Sequence, residues 1–123
     1  MDAFNNELEI INTFLGINQY SDIFPICDRI LKNNYSKDKK AQIFFIMAST
    51  YKELKKYEDA IVSYTSCIKL DNNKEYAYIR KSQLLFKLNR FEAALLCCKQ
   101  GMLIFEDNSL LIEIEKQCIN KLF

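Results

Sequence analysis

The most reactive side chains in this sequence are five cysteines, Cys27, Cys67, Cys97, Cys98 and Cys118, and no histidine accompanies them. A thiolate nucleophile needs a base or cation beside it, and a zinc site is normally completed by imidazole or by CxxC pairs. An odd set of cysteines at irregular spacing offers neither, and no disulfide framework. Among the carboxylates, Glu113 and Glu115 stand two apart on helical sequence and so face different sides. There is no GxGxxG, Walker loop or paired-carboxylate motif. Catalysis, a metal and a cofactor are therefore not expected. The cysteines read as small buried hydrophobes of a reducing, cytoplasmic protein.

The chemistry that remains is recognition. Seventeen basic against sixteen acidic residues give a formal charge of +1, too weak a field to gather nucleic acid or an anionic membrane. No apolar run approaches the roughly 18 residues of a membrane helix, and Met1-Asp2-Ala3-Phe4-Asn5-Asn6-Glu7 lacks the basic start and apolar core of a secretory signal. The expected partner is another protein. Of 123 residues half are hydrophobic, with 2 Gly and 1 Pro. Such a chain can bury one core but has few breakers for hairpins, so the expected fold is all-α in a single domain.

The elements that would position a binding surface come from an internal repeat. Leu54-Lys55-Lys56-Tyr57-Glu58-Asp59-Ala60-Ile61 returns as Leu88-Asn89-Arg90-Phe91-Glu92-Ala93-Ala94-Leu95, a period of 34 residues. In the second repeat, residues 41–74, Phe44, Met47, Ala48 and Tyr51 form the buried stripe of a first helix, and Ala60, Tyr64, Cys67 and Ile68 that of a second. The third, residues 75–108, places Tyr78, Lys81, Ser82 and Leu85, then Ala94, Cys98, Gly101 and Met102; Lys81 and Gly101 are weak members. A degenerate first repeat over about residues 4–40 matches Tyr20-Ser21-Asp22-Ile23, Cys27, Ile30 and Leu31 at an offset of 37, with an insertion in Asn34 to Lys40. Its second helix should start near Ser21, capped by Ser21 or Asp22 and tolerating Pro25. Asp107, Asn108 or Ser109 caps a last helix, residues 109–122, whose stripe is Leu111, Ile114, Cys118 and Leu122. It solvates the open end of the array. Seven helices are expected.

Stacked helix pairs curve, and the first helix of each pair lines the concave side. Setting aside the core stripe, the second repeat offers Gln42, Phe45, Ile46, Ser49, Lys52 and Glu53 there. The third offers Tyr76, Ile79, Arg80, Gln83, Phe86 and Lys87, and the first Asn5, Leu8, Glu9, Asn12 and Leu15. Ala41 to Ala48 is apolar on nearly every side, as a helix is when covered on both faces. The expected site is an apolar groove of Leu8, Asn12, Phe45, Ile46, Ser49, Tyr76, Ile79, Arg80 and Gln83. It would take a partner segment on apolar anchors, with Arg80 fixing a carboxylate or carbonyl.

Tyr78-Ile79-Arg80-Lys81-Ser82 through Leu88-Asn89-Arg90-Phe91-Glu92-Ala93-Ala94 resembles the third repeat of tetratricopeptide co-chaperones of the Hsp70 and Hsp90 organising type. The resemblance implies a right-handed superhelix of three tandem repeats with a solvating helix, and an adaptor role in multiprotein assemblies. That subfamily grips the acidic C-terminus of a chaperone with two lysines, two asparagines and an arginine or lysine. The corresponding positions here are Leu8, Asn12, Ile46, Tyr76 and Arg80. Asn12 and Arg80 keep the chemistry; both lysines are lost and one asparagine is Ile46. The leading expectation is thus a protein-binding adaptor. Two alternatives stand beside it: an acidic chaperone peptide held by Asn12, Arg80 and Lys52 or Lys87, and self-association through the groove or the last helix. The end at Phe123, about one helical turn past Cys118, leaves a longer natural protein open.

Overall fold

The computed structural model describes residues 2–123, and among them the chain forms seven α-helices and no strand. These are α1 Ala3–Gly16, α2 Ile23–Lys32, α3 Lys37–Glu53, α4 Tyr57–Leu70, α5 Glu75–Lys87, α6 Phe91–Met102 and α7 Ser109–Leu122. Each helix packs on the next, and α7 also packs alongside α5. No helix is long and apolar enough to cross a membrane among the described residues.

One turn geometry, used three times, sets the hairpin within each pair. Asn18, Lys55 and Asn89 sit in the left-handed region at φ of 60°, 60° and 61°. The next amide in each case donates back five residues: Gln19 to the Phe14 carbonyl at 2.9 Å, Lys56 to Tyr51 at 2.8 Å, Arg90 to Leu85 at 2.9 Å. This is the Schellman closure of a helix C-terminus, built here without glycine.

Side-chain caps start three helices. Asp2 Oδ1 accepts from the Asn5 amide at 2.8 Å, Ser36 Oγ from Lys39 at 3.2 Å and Asn108 Oδ1 from Leu111 at 2.9 Å. The expected cap on α2 is not formed. A 3-10 turn, Tyr20–Asp22, leads into the helix at Ile23, and neither Ser21 nor Asp22 caps it. Pro25 is the third helical residue and has no N–H for a cap at Asp22 to accept from. The extra residues before Ala41 do not lengthen a loop either: Lys37 to Lys40 are helical and add about one turn to the start of α3.

The core runs the length of the stack. Phe4, Ile11, Ile23, Ile26, Cys27, Ile30, Ile43 and Met47 form its N-terminal part. Ala48, Ala60, Tyr64 and Leu84, with Ala41, Cys67 and Ala77, form the middle, where small residues let backbones approach closely. Tyr78, Ile79, Leu85, Ala94, Cys97, Cys98, Leu111, Ile114 and Cys118 close the C-terminal end. Ala41, Ile43 and Leu84 lie outside the single stripes read from periodicity, because a helix sandwiched in a stack is covered on two sides. Gly101 is required where it stands: a Cβ there would lie 2.9 Å from Leu111 Cδ1 and 3.0 Å from Tyr78 Cβ.

Polar joints tie the layers at the surface. Lys74 pairs with Asp38 in the first turn of α3 and with Asp71 at 3.6 Å. Asn108 Nδ2 donates to Glu75 in the first turn of α5. Arg90 forks onto Glu58, and Arg29 onto Glu7 through Nε at 3.2 Å and Nη2 at 2.5 Å.

Candidate functional site

A groove of about 630 Å³ opens across α1, α3 and α5, lined by Leu15, Tyr20, Phe45, Ile46, Ser49, Thr50, Lys52, Glu53 and Arg80. Ile46, Ser49 and Glu53 lie at i, i+3 and i+7 and so project together from α3. Phe45 is held half-buried at the edge, its ring 4.4 Å from Tyr76 and 5.7 Å from Tyr64, edge-on to both. Thr50 Oγ1 donates to the Ile46 carbonyl at 2.8 Å, which satisfies the hydroxyl within the helix.

Of the residues expected at the site, Phe45, Ile46, Ser49 and Arg80 line this groove together, and Tyr76 borders it through Phe45. Ile79 does not belong. It is buried in the C-terminal core because α7 packs against that side of α5. Leu8 packs against the N-terminal core, and Asn12 is exposed on α1, one turn before Leu15, without itself lining the groove. Gln83 accepts from Arg80 Nη1 at 3.2 Å and lines a second pocket of about 210 Å³ with Phe86, Leu110, Glu113, Ile114 and Gln117. The expected apolar groove is thus mixed in character. Tyr20 and Thr50 are members that the reading of helix faces does not reveal: the first aligns with Tyr57 in the repeat but stands in the 3-10 turn between helices, the second on an arc assigned to neither face.

The cations divide sharply. Lys74 is taken up by Asp38 and Asp71, and Lys87 lies over the Tyr57 ring at 5.6 Å from its centroid. Lys52 and Arg80 have no salt-bridge partner among the described residues, and both line the groove. The Tyr64 hydroxyl, behind the Phe45 ring, is fully buried and has no hydrogen-bond partner among the described residues. Burial pushes this phenol's pKa up, opposed by the nearby Ser49 hydroxyl and the Arg80 charge.

The cysteines form no comparable centre. All five are free and buried. Burial pushes Cys27 and Cys98 up to about 12 and Cys67 and Cys97 to about 11, so the thiol and not the reactive thiolate is the species present near neutrality. The described residues hold no group of three or more metal-ligating side chains.

Stacked helix pairs with one turn geometry, an open groove and a solvating end define a helical-repeat scaffold. Residues 41–74 and 75–108 each match the tetratricopeptide repeat model, over half of the sequence together, and the chain belongs to that family. Among solved structures it is similar to the TPR domain of Arabidopsis OM64, with a TM-score of 0.75 and 18% identity over 97% of this chain and 96% of that one. It is similar also to the second TPR domain of human RPAP3 in complex with the HSP70 peptide SGPTIEEVD, at 0.72 and 19% over 91% of each chain. The TPR2B domain of yeast Sti1, in a complex with pHsp70, aligns at 0.75 and 14% over 96% of this chain and 97% of that one. No curated protein sequence matches.

Proposed function

We propose that this chain is a non-catalytic protein-interaction module, an adaptor or structural subunit that binds a partner segment in the concave groove centred on Ile46 and Arg80. The observation that carries the reading is the groove itself: apolar side chains at Leu15, Phe45 and Ile46 stand open beside two cations that have no carboxylate partner among the described residues. Apolar anchors with a few convergent polar groups are what a bound peptide needs. The test is affinity capture from the source cell with wild type and Ile46→Asp side by side, read by mass spectrometry. Partners lost with Ile46→Asp at unchanged helix content support the module; identical partner sets overturn it.

A second reading has its own support. Two structures of similar fold are complexes, one with an HSP70 peptide and one with pHsp70, and Lys52 and Arg80 line one groove here. The chain would then be a co-chaperone holding an acidic C-terminus with a reduced set of cations. Titration with SGPTIEEVD tests it. Salt-sensitive binding at about micromolar Kd, lost in Arg80→Ala, supports it; absence of binding at low salt removes it.

A further inference from the structure

The second pocket gives the partner a more specific shape, provided that the first groove is a peptide site. The pocket lies between α5 and α7 and adjoins the first groove through Gln83, which is hydrogen-bonded to Arg80 at 3.2 Å. Its wall includes Phe86, the outer edge of the buried Ile114, and Leu110, which is 52% exposed on the solvating helix. Its charge is the reverse of the first groove's. Lys52, Glu53 and Arg80 leave the first with one positive charge in surplus. Glu113, whose carboxylate has only the Gln117 amide at 3.4 Å, leaves the second with one negative. Neither is neutralised within the described residues.

We propose that the two pockets are filled by one extended, bipartite partner segment. An acidic residue of it lies on Lys52 and Arg80, a large apolar side chain enters between Phe86 and Leu110, and a basic residue beyond meets Glu113. Packed helices stand about 8 to 10 Å apart and an extended chain advances about 3.3 Å per residue. The acid and the apolar anchor are therefore separated by about three residues. The two opposite surplus charges fix which end of the segment lies over which pocket, and a segment of one charge sign would be repelled at one end.

The probes are short Ser/Gly peptides bearing a Glu alone, or a Glu and a Leu at varied separation in both chain orders. They are titrated into the 15N-labelled protein and followed by NMR at the Arg80 and Leu110 amides. A Glu-x-x-Leu peptide should bind about tenfold tighter than the Glu-only peptide, with weaker gains at shorter or longer spacing. Leu110→Asp should erase that gain and leave Glu-only binding unchanged. Glu113→Lys, an exposed change with no packing consequence, should reverse the preference for a terminal Lys over a terminal Glu. Glu-only binding with no Leu gain, or a gain that persists in Leu110→Asp, overturns the bipartite segment and leaves the groove reading standing. No response at Arg80 to any peptide overturns both.

Discussion

Lys74 reaches back across a repeat boundary to Asp38, and Asn108, standing one repeat later, reaches back to Glu75. The residue just before a first helix thus ties itself to the opening turn of the preceding first helix, twice over. Hydrogen bonding and attraction to Lys74 hold the Asp38 carboxyl below its usual 3.8, and the bond to Asp38 raises Lys74 above 10.5.

The two partners give the joint opposite pH limits. For Asp38 the stabilisation is present above the unfolded carboxylate value and is lost as pH falls through the lowered folded one. For Lys74 it is complete below 10.5 and lost as pH rises through the raised folded value. Asp38 is 64% exposed, so the pair is worth less than about 1 kcal/mol. Lys74→Ala should lower the urea midpoint slightly at pH 7, with the deficit disappearing well below pH 3.8. A deficit that survives in acid would assign the effect to packing of the lysine stem instead.

Gly101→Ala should destabilise the chain. The added Cβ meets Leu111 and the Tyr78 Cβ at or inside 3.0 Å, and overpacking of this kind costs about 1 to 3 kcal/mol, offset by up to about 1 kcal/mol of gained helix propensity. A net loss of about 1 kcal/mol corresponds to a fall in Tm of roughly 4 °C. A rise in Tm would mean that the α6 to α7 contact yields easily.

Tyr64→Phe removes a buried hydroxyl that has no partner among the described residues. Unlike most core changes it should leave stability equal or raise it by up to about 1 kcal/mol, measured by chemical denaturation. A clear loss would show that the hydroxyl is satisfied in solution, with Ser49 as the partner at hand.

The thiols give an alkaline prediction. Burial holds Cys27, Cys67, Cys97 and Cys98 at about 11 to 12 in the folded chain against 9.0 when unfolded. Above pH 9 the unfolded state loses protons that the folded state keeps, so stability must fall as pH rises from 9 toward 11. Denaturation midpoints at pH 7, 9 and 10.5 check the slope. At pH 8 the native protein should resist a thiol-labelling reagent that reacts at once after denaturation.

Much of this molecule is legible in its sequence because repetition supplies an internal alignment. The segments beginning at Leu54 and Leu88 place two left-handed turn residues, Lys55 and Asn89, at the same point, and Asn18 occupies it at the larger offset. Ala48, Ala60 and Ala94, with Cys27, Cys67, Cys98 and Cys118, emerge by register, whereas Ala41, Ala77 and Cys97 are buried by the second face of their helices. Interactions between elements are another matter. Nothing in the periodicity of α5 says that α7 covers Ile79, nor that the extra residues of the first repeat become helix rather than loop. The 3-10 entry to α2 depends on a missing amide at Pro25. At the site, helix faces alone point to Ile46, Ser49 and Arg80. Tyr20 comes from a turn, and the pocket beside Leu110 from the meeting of two helices.

The edge-on contact of Tyr76 with Phe45 also equips this protein optically. The sequence has 7 tyrosines and no tryptophan, so its ultraviolet emission belongs to phenols alone. Tyr20, which lines the groove, and Tyr76, which borders it through Phe45, are the phenols whose surroundings an arriving segment would alter most directly. A partner free of tyrosine and tryptophan would thus announce its arrival by changing the emission of the unlabelled protein, with no dye attached to either molecule.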